Sequence, residues 1–131
     1  MEKVIRLKKH AARVITGDFY FQQRSSNLFN TLKWQTMDER IQEKRLTILY
    51  KCLNGLAPNY LRELFQFISD THTHGLRSST SNSLFVKGGK IEYHKRRFSY
   101  LAARDWNEIL TPECRDAESL TSFKRLFHDI I

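Results

Sequence analysis

Apolar positions recur every three or four residues along much of this 131-residue chain. That is the period of an α-helix with one buried face. Val4, Leu7, Ala11, Val14 and Ile15 form such a stripe within residues 2–16, and Lys3, Arg6, Lys9, His10 and Arg13 take the other face. Gly17 predicts the stop, since glycine enters the left-handed region at little cost. Residues 18–24 (DFYFQQR) read as loop. Ser25 or Ser26 is expected to cap a short helix over 27–33, with Leu28, Phe29 and Leu32 inward and Trp34 packing after it as an anchor. Thr36-Met37-Asp38-Glu39 fits a capping box, in which the Thr36 hydroxyl and the Glu39 carboxylate each bond the other residue's backbone amide. The helix that follows is expected over about 37–53, with Met37, Ile41, Ile48, Leu49, Cys52 and Leu53 as its apolar stripe and Asn54-Gly55 at its end. Ala57-Pro58 opens another, because proline suits a first turn. Tyr60, Leu61, Leu64, Phe65 and Ile68 would be its buried face.

The pattern then changes. Residues 69–83 (SDTHTHGLRSSTSNS) hold Leu76 as their one large apolar residue and read as a flexible surface loop. Leu84-Phe85-Val86 and Ile91-Glu92-Tyr93 flank Lys87-Gly88-Gly89-Lys90, which suggests a small hairpin. A lone hairpin is marginal in water, so it would have to lean on helices. Helical spacing returns over 96–110, with Phe98, Leu101, Ala102 and Trp106 on one side, and Thr111-Pro112 breaks it. A last helix is expected over about 117–130, capped by Asp116 or Ser119, with Leu120, Phe123, Leu126, Phe127 and Ile130 as its stripe. The expected fold is therefore mainly α: a single domain over residues 1–131, of about five to six helices, with one small β-hairpin near residues 84–93.

Composition narrows the class. Apolar residues make up 40% and aromatics 12%, enough for a modest core. No apolar run is long enough to cross a membrane, and the first fifteen residues lack the apolar stretch of a secretory signal. Cys52 and Cys114 are the only cysteines, too few for a disulfide scaffold. An intracellular, reducing compartment is the expectation, with no membrane partner. Twenty-two Lys and Arg against fourteen Asp and Glu leave a net charge of +8. Residues 1–24 carry six bases against two acids, and residues 86–104 carry six against one, whereas residues 105–131 are net acidic. Two basic blocks of this kind attract polyanions, because each neutralised phosphate releases condensed counterions. The plainer reading is a solvated basic surface. Lys8, Lys9 and Arg13 in the first block and Lys95, Arg96 and Arg97 in the second are the candidate contacts for RNA or DNA phosphates. The binding proposal requires the two sets to converge, once folded, into a continuous positive groove. In the run Tyr93–Tyr100 the three bases are interleaved with aromatics that can stack on unpaired bases. An ordinary helix start with Phe98 in the core explains the same run.

Motifs for other chemistry are sparse. There are no adjacent aspartates for a two-metal site, no phosphate loop ending in Gly-Lys-Ser/Thr and no Gly-x-Ser-x-Gly elbow. His72 and His74 are two residues apart but lack two further ligands nearby. Cys52 lies on an apolar stripe and reads as a buried thiol. Trp34 and Trp106 read as core anchors. No catalytic residue, metal or cofactor is expected.

Six segments in order carry a family resemblance. They are Arg6–Gly17 (RLKKHAARVITG), Leu28–Trp34 (LFNTLKW), Arg40–Leu61 (RIQEKRLTILYKCLNGLAPNYL), Leu76-Arg77-Ser78, Phe98–Leu110 (FSYLAARDWNEIL) and Arg115–Leu126 (RDAESLTSFKRL). Together they resemble the C-terminal, post-palm region of reverse transcriptases of non-LTR, LINE-type (jockey-like) retrotransposons. The resemblance implies a thumb-and-tail role, gripping RNA and DNA beside the catalytic portion of a reverse transcriptase. It implies no activity of this chain's own, since the palm motif is missing; an excised tail or a remnant reading frame would look like this. Pro112 is displaced from the Leu-Pro that usually follows the Trp-Asn pair. Leu32, Trp34, Leu61, Trp106 and Phe123 match the family pattern as fold determinants rather than contacts. The alternatives are a helical protein-interaction module, docking through the first and last helices, or a decayed fragment without independent function.

Overall fold

The computed structural model describes residues 1–71, 82–88 and 91–130. The described residues are mainly helical, in nine segments. These are α1 (Glu2–Thr16), α2 (Ser25–Thr31), α3 (Met37–Leu53), α4 (Asn59–Arg62), α5 (Ile68–Thr71), α6 (Glu92–Lys95), α7 (Phe98–Ile109), α8 (Pro112–Arg115) and α9 (Leu120–Ile130). The chain divides into two compact units, Met1–Ile41 and Gln42–Ile131, and the division falls within α3.

In the first unit, α1 ends where glycine permits it. Gly17 is left-handed at φ 74°, and its N–H reaches the Arg13 carbonyl. The helix meets α2 through Ala12, which is buried with Leu28 and Phe29, and Leu32 and Trp34 pack against that cluster. The expected apolar stripe is not the buried one. Val4, Leu7, Val14 and Ile15 are all more than half exposed. The short α2 offers two buried apolar side chains, and α1 turns its Ala12 edge to them, where a small residue allows close approach. Ser25 and Ser26 stand in the first turn of α2 instead of capping it, and the cap position is Arg24. The capping box is present at the start of α3. The Thr36 N–H donates to Glu39 Oε2 at 2.7 Å, and the Glu39 N–H to Thr36 Oγ1 at 3.3 Å.

The second unit holds the larger core. Leu46, Leu49, Tyr50 and Cys52 of α3 pack with Ala102, Ala103 and Trp106 of α7 and with Phe123 and Phe127 of α9. Ile48, expected on the α3 stripe, is exposed, and Leu46 and Tyr50 take the inward positions. Phe123 stacks on Tyr50 at 4.5 Å and on Trp106 at 6.2 Å between ring centres. The Tyr50 hydroxyl donates to the Ala117 carbonyl at 2.6 Å, satisfying the polar tip of a buried ring. Gly55, left-handed at φ 70°, lets the Leu56 N–H return to the Lys51 carbonyl and close α3.

Two further expectations are corrected. The long helix after Pro58 is broken into α4 and α5, and only Phe65 of its expected face is buried. Tyr60 and Leu64 are exposed. The β-hairpin near residues 84–93 is absent among the described residues. Leu84 instead makes an isolated antiparallel bridge with Phe67. There the Phe85 N–H donates to the Gln66 carbonyl at 2.8 Å, and the Ile68 N–H to that of Ser83 at 2.9 Å. Tyr93, the expected partner strand, lies in α6. The Asn107 side chain explains the preference: its Oδ1 accepts from the Leu84 N–H at 2.9 Å and its Nδ2 donates to the Leu84 carbonyl at 2.8 Å. A strand-like segment whose polar groups are already satisfied gains little from a hairpin partner. The expected loop at 69–83 lies mostly outside the described residues.

Cys114 is fully buried against the Phe123 carbonyl, and burial pushes its thiol up from 9.0 to about 11. The folded protein therefore keeps this proton where the unfolded chain releases it. The stability gained from a neutral Cys114 is intact below about pH 9 and is lost as pH rises toward 11, by roughly 2–3 kcal/mol. Urea unfolding at about pH 8 and about pH 10.5 checks this. An equal alkaline loss in Cys114→Ala would assign the effect elsewhere.

Candidate functional site

Within the first unit, α1 presents Lys8, Lys9 and Arg13, but structure already uses two of them. The Lys8 ammonium donates to the Gln35 carbonyl and lies 5.3 Å from the centre of the Phe29 ring and 5.9 Å from that of Trp34. It works as a half-buried brace between α1 and the chain after α2. Arg13 lies 4.4 Å over the Phe21 ring, with its Nε 3.9 Å from the Asp18 carboxylate. Asp18 also accepts from the Gln22 and Gln23 amides at 2.9 and 3.2 Å, so Arg13 is part of the clamp that shapes residues 18–23. Lys9 is half-buried and lines a small cleft with Ser25, Ser26 and Thr36.

Within the second unit, Lys95, Arg96 and Arg97 share the junction between α6 and α7, and all three are exposed. Lys95 pairs with Glu92 at 3.0 Å, a solvent-facing pair on the same short helix. Arg96 closes α6 and Arg97 is the extended N-cap residue of α7. Neither forms an ion pair among the described residues. Phe98 is half-buried against the core, edge-on to Phe65 at 6.0 Å. Tyr93 is exposed, and His94 and Tyr100 are half-buried.

Beside this junction lies an open cleft of about 600 Å³. Lys87 and Arg97 bring two cations to its wall, together with His94, and Glu63 brings one carboxylate. Phe85 and Tyr100 supply aromatic surface. The bridge between Phe67 and Leu84 fixes the backbone that carries Phe85.

The groups that hold the segment carrying Phe85 are not among the candidates expected from the sequence. Asn107 holds Leu84 by two hydrogen bonds. Arg115 donates to the Trp106 carbonyl at 3.2 Å, the Asn107 carbonyl at 2.7 Å and Ser83 Oγ at 3.1 Å. Burial pulls its guanidinium below the usual arginine value, with Asp116 opposing. Arg104, counted in the basic block, is drawn to Asp105 at 3.0 Å and Glu108 at 3.7 Å. The carboxylate of Asp105 raises the Arg104 pKa chiefly through their hydrogen bond. One signal was available: Trp106-Asn107 and Arg115 fall in the segments that carried the family resemblance, and here they act as fold determinants.

Among the described residues no cluster of His, Cys, Asp and Glu is placed to hold a metal, and His72 and His74 lie outside them. Cys52 and Cys114 are buried, free thiols. No described helix is long and apolar enough to cross a membrane. Comparison with family models, with curated proteins and with solved structures returned no match.

Proposed function

We propose that this chain is a non-catalytic, accessory nucleic-acid-binding protein that positions RNA or DNA through its phosphates. Its resemblance to the C-terminal region of non-LTR retrotransposon reverse transcriptases supports the same role, and the catalytic portion of such an enzyme would be its natural companion. The observation that carries the proposal is the exposed pair Arg96 and Arg97, with no ion pair among the described residues, of which Arg97 shares a cleft wall with Lys87. Two adjacent exposed guanidinium groups, one of them on a wall with an ammonium, suit a phosphate backbone, which they position without reading sequence. One groove made from both basic sets, as expected from the sequence, is not what the proposal rests on: the first-unit bases Lys8 and Arg13 contribute less, because their charges already serve the fold, and the second-unit cations carry it by themselves.

Filter binding of a single-stranded oligonucleotide at two salt concentrations tests this. Three phosphate contacts give a slope of about −2 in log K against log salt, and so a loss of roughly twentyfold between about 50 and about 200 mM salt. Association that ignores salt would contradict the proposal. It would favour a second reading, a protein-interaction module, for which the exposed stripe Val4, Leu7, Val14 and Ile15 on α1 is the supporting observation.

A further inference from the structure

Resting on that reading and sharpening it, we infer that the second-unit cleft is a site for one unpaired nucleotide of a single strand. Its volume, about 600 Å³, lies within the range of sites that enclose small organic groups. Its chemistry is divided in the way a nucleotide is divided. Lys87 and Arg97 face the cleft without ion-pair partners among the described residues, and suit one phosphate. The first turn of α7, which no side chain caps, adds backbone N–H donors on the Arg97 side. Phe85, 41% exposed, and Tyr100 offer ring surface for a base. The Phe85 main chain is held by its hydrogen bond to Gln66, so the ring stands on a fixed support.

Glu63 decides between strand types. A carboxylate on the wall repels a second phosphate but accepts hydrogen bonds from the N–H groups of a base edge. A duplex brings phosphates from both strands and keeps its base faces stacked, so it can use the cations but not the rings. A single strand can use both, since stacking on aromatics needs an unstacked base. Around Gly88 the cleft is open: beyond its chain neighbours, no atom of the described residues lies within 4 Å of an added Cβ.

The test uses the full chain and fluorescence anisotropy with a single-stranded decanucleotide, the matching duplex and a free mononucleotide. The single strand should bind more tightly than the duplex. Phe85→Ala should weaken single-strand binding by roughly five- to a hundredfold and leave duplex binding within about twofold. Gly88→Leu, which fills the cleft without adding a ring or a charge, should do the same. Thermal unfolding of both variants serves as the check on folding. The mononucleotide should compete only at about millimolar concentration, since it lacks the neighbouring phosphates that reach Arg96. Equal binding of strand and duplex, unaffected by either variant, would overturn the cleft assignment while leaving the polyanion reading in place. Micromolar binding of the mononucleotide would overturn the strand as occupant. Failure of every oligonucleotide to bind at low salt would remove both.

Discussion

Trp106→Ala is expected to lower the unfolding free energy by about 3–5 kcal/mol, the range for truncating a large buried aromatic. Trp106 is 1% exposed and stacks on Phe123, which in turn touches the rings of Tyr50 and Phe127. Removing it opens a void at the centre of the second unit. The indole also donates to the Asn82 carbonyl at 3.0 Å, a bond that the variant loses. Trp106→Phe keeps much of the ring area and should cost less, chiefly the hydrogen bond and the smaller volume. The loss falls on a protein whose total stability is only about 5–15 kcal/mol, so Trp106→Ala should be folded but easily unfolded. Denaturant unfolding of wild type and both variants gives the order directly. A loss below about 1.5 kcal/mol for Trp106→Ala would mean that the aromatic layer is not the keystone of the unit.

Asp105→Ala should have the next largest effect, about 3 kcal/mol, at the low end of the cost of breaking a buried pair because one-fifth of the Arg45 side chain is exposed. The carboxylate is 1% exposed and is held by Arg45 of α3 on one side and by its neighbour Arg104 on the other. Arg45 is four-fifths buried, so deleting the acid leaves a charge that water cannot fully reach. Arg104 is 42% exposed and can turn to solvent or to Glu108. The coupling between Asp105 and Arg45 in a double-mutant cycle should therefore exceed about 1.5 kcal/mol, and that between Asp105 and Arg104 should stay below about 1 kcal/mol. Equal couplings would show that the buried partner is no more important than the exposed one.

Local signals in the sequence located the helices that carry them. The α1 and α3 spans follow from periodicity closed by Gly17 and Gly55, and the Thr36–Glu39 box forms as its residues demand. Where the deciding partner is distant, the local pattern misleads. Leu84-Phe85-Val86 has the composition of a hairpin strand, yet Asn107, more than twenty residues on, claims its polar groups. The α1 stripe is amphipathic by spacing, but spacing cannot say that the nearest helix offers only a narrow contact at Ala12. The candidate site shows the same division. That Lys95, Arg96 and Arg97 sit on a surface is legible from three consecutive bases, whereas the engagement of Lys8 and Arg13 depends on where Gln35, Trp34, Asp18 and Phe21 fold back. The cleft is invisible in sequence because its lining residues Glu63, Leu64 and Gln66 are brought to Phe85 and Lys87, about twenty residues on, through the isolated Phe67–Leu84 bridge.

The polyanion reading is tested most directly by the salt dependence of single-strand binding for wild type beside Arg96→Gln/Arg97→Gln. Both side chains are exposed and outside the core, so the double variant should unfold like wild type. If they contact phosphate, the slope of log K against log salt should shrink by about 1.4, at 0.7 for each lost single-strand contact. A double variant that binds with the wild-type slope would contradict the reading, and the charge at the α6–α7 junction would then serve solubility alone.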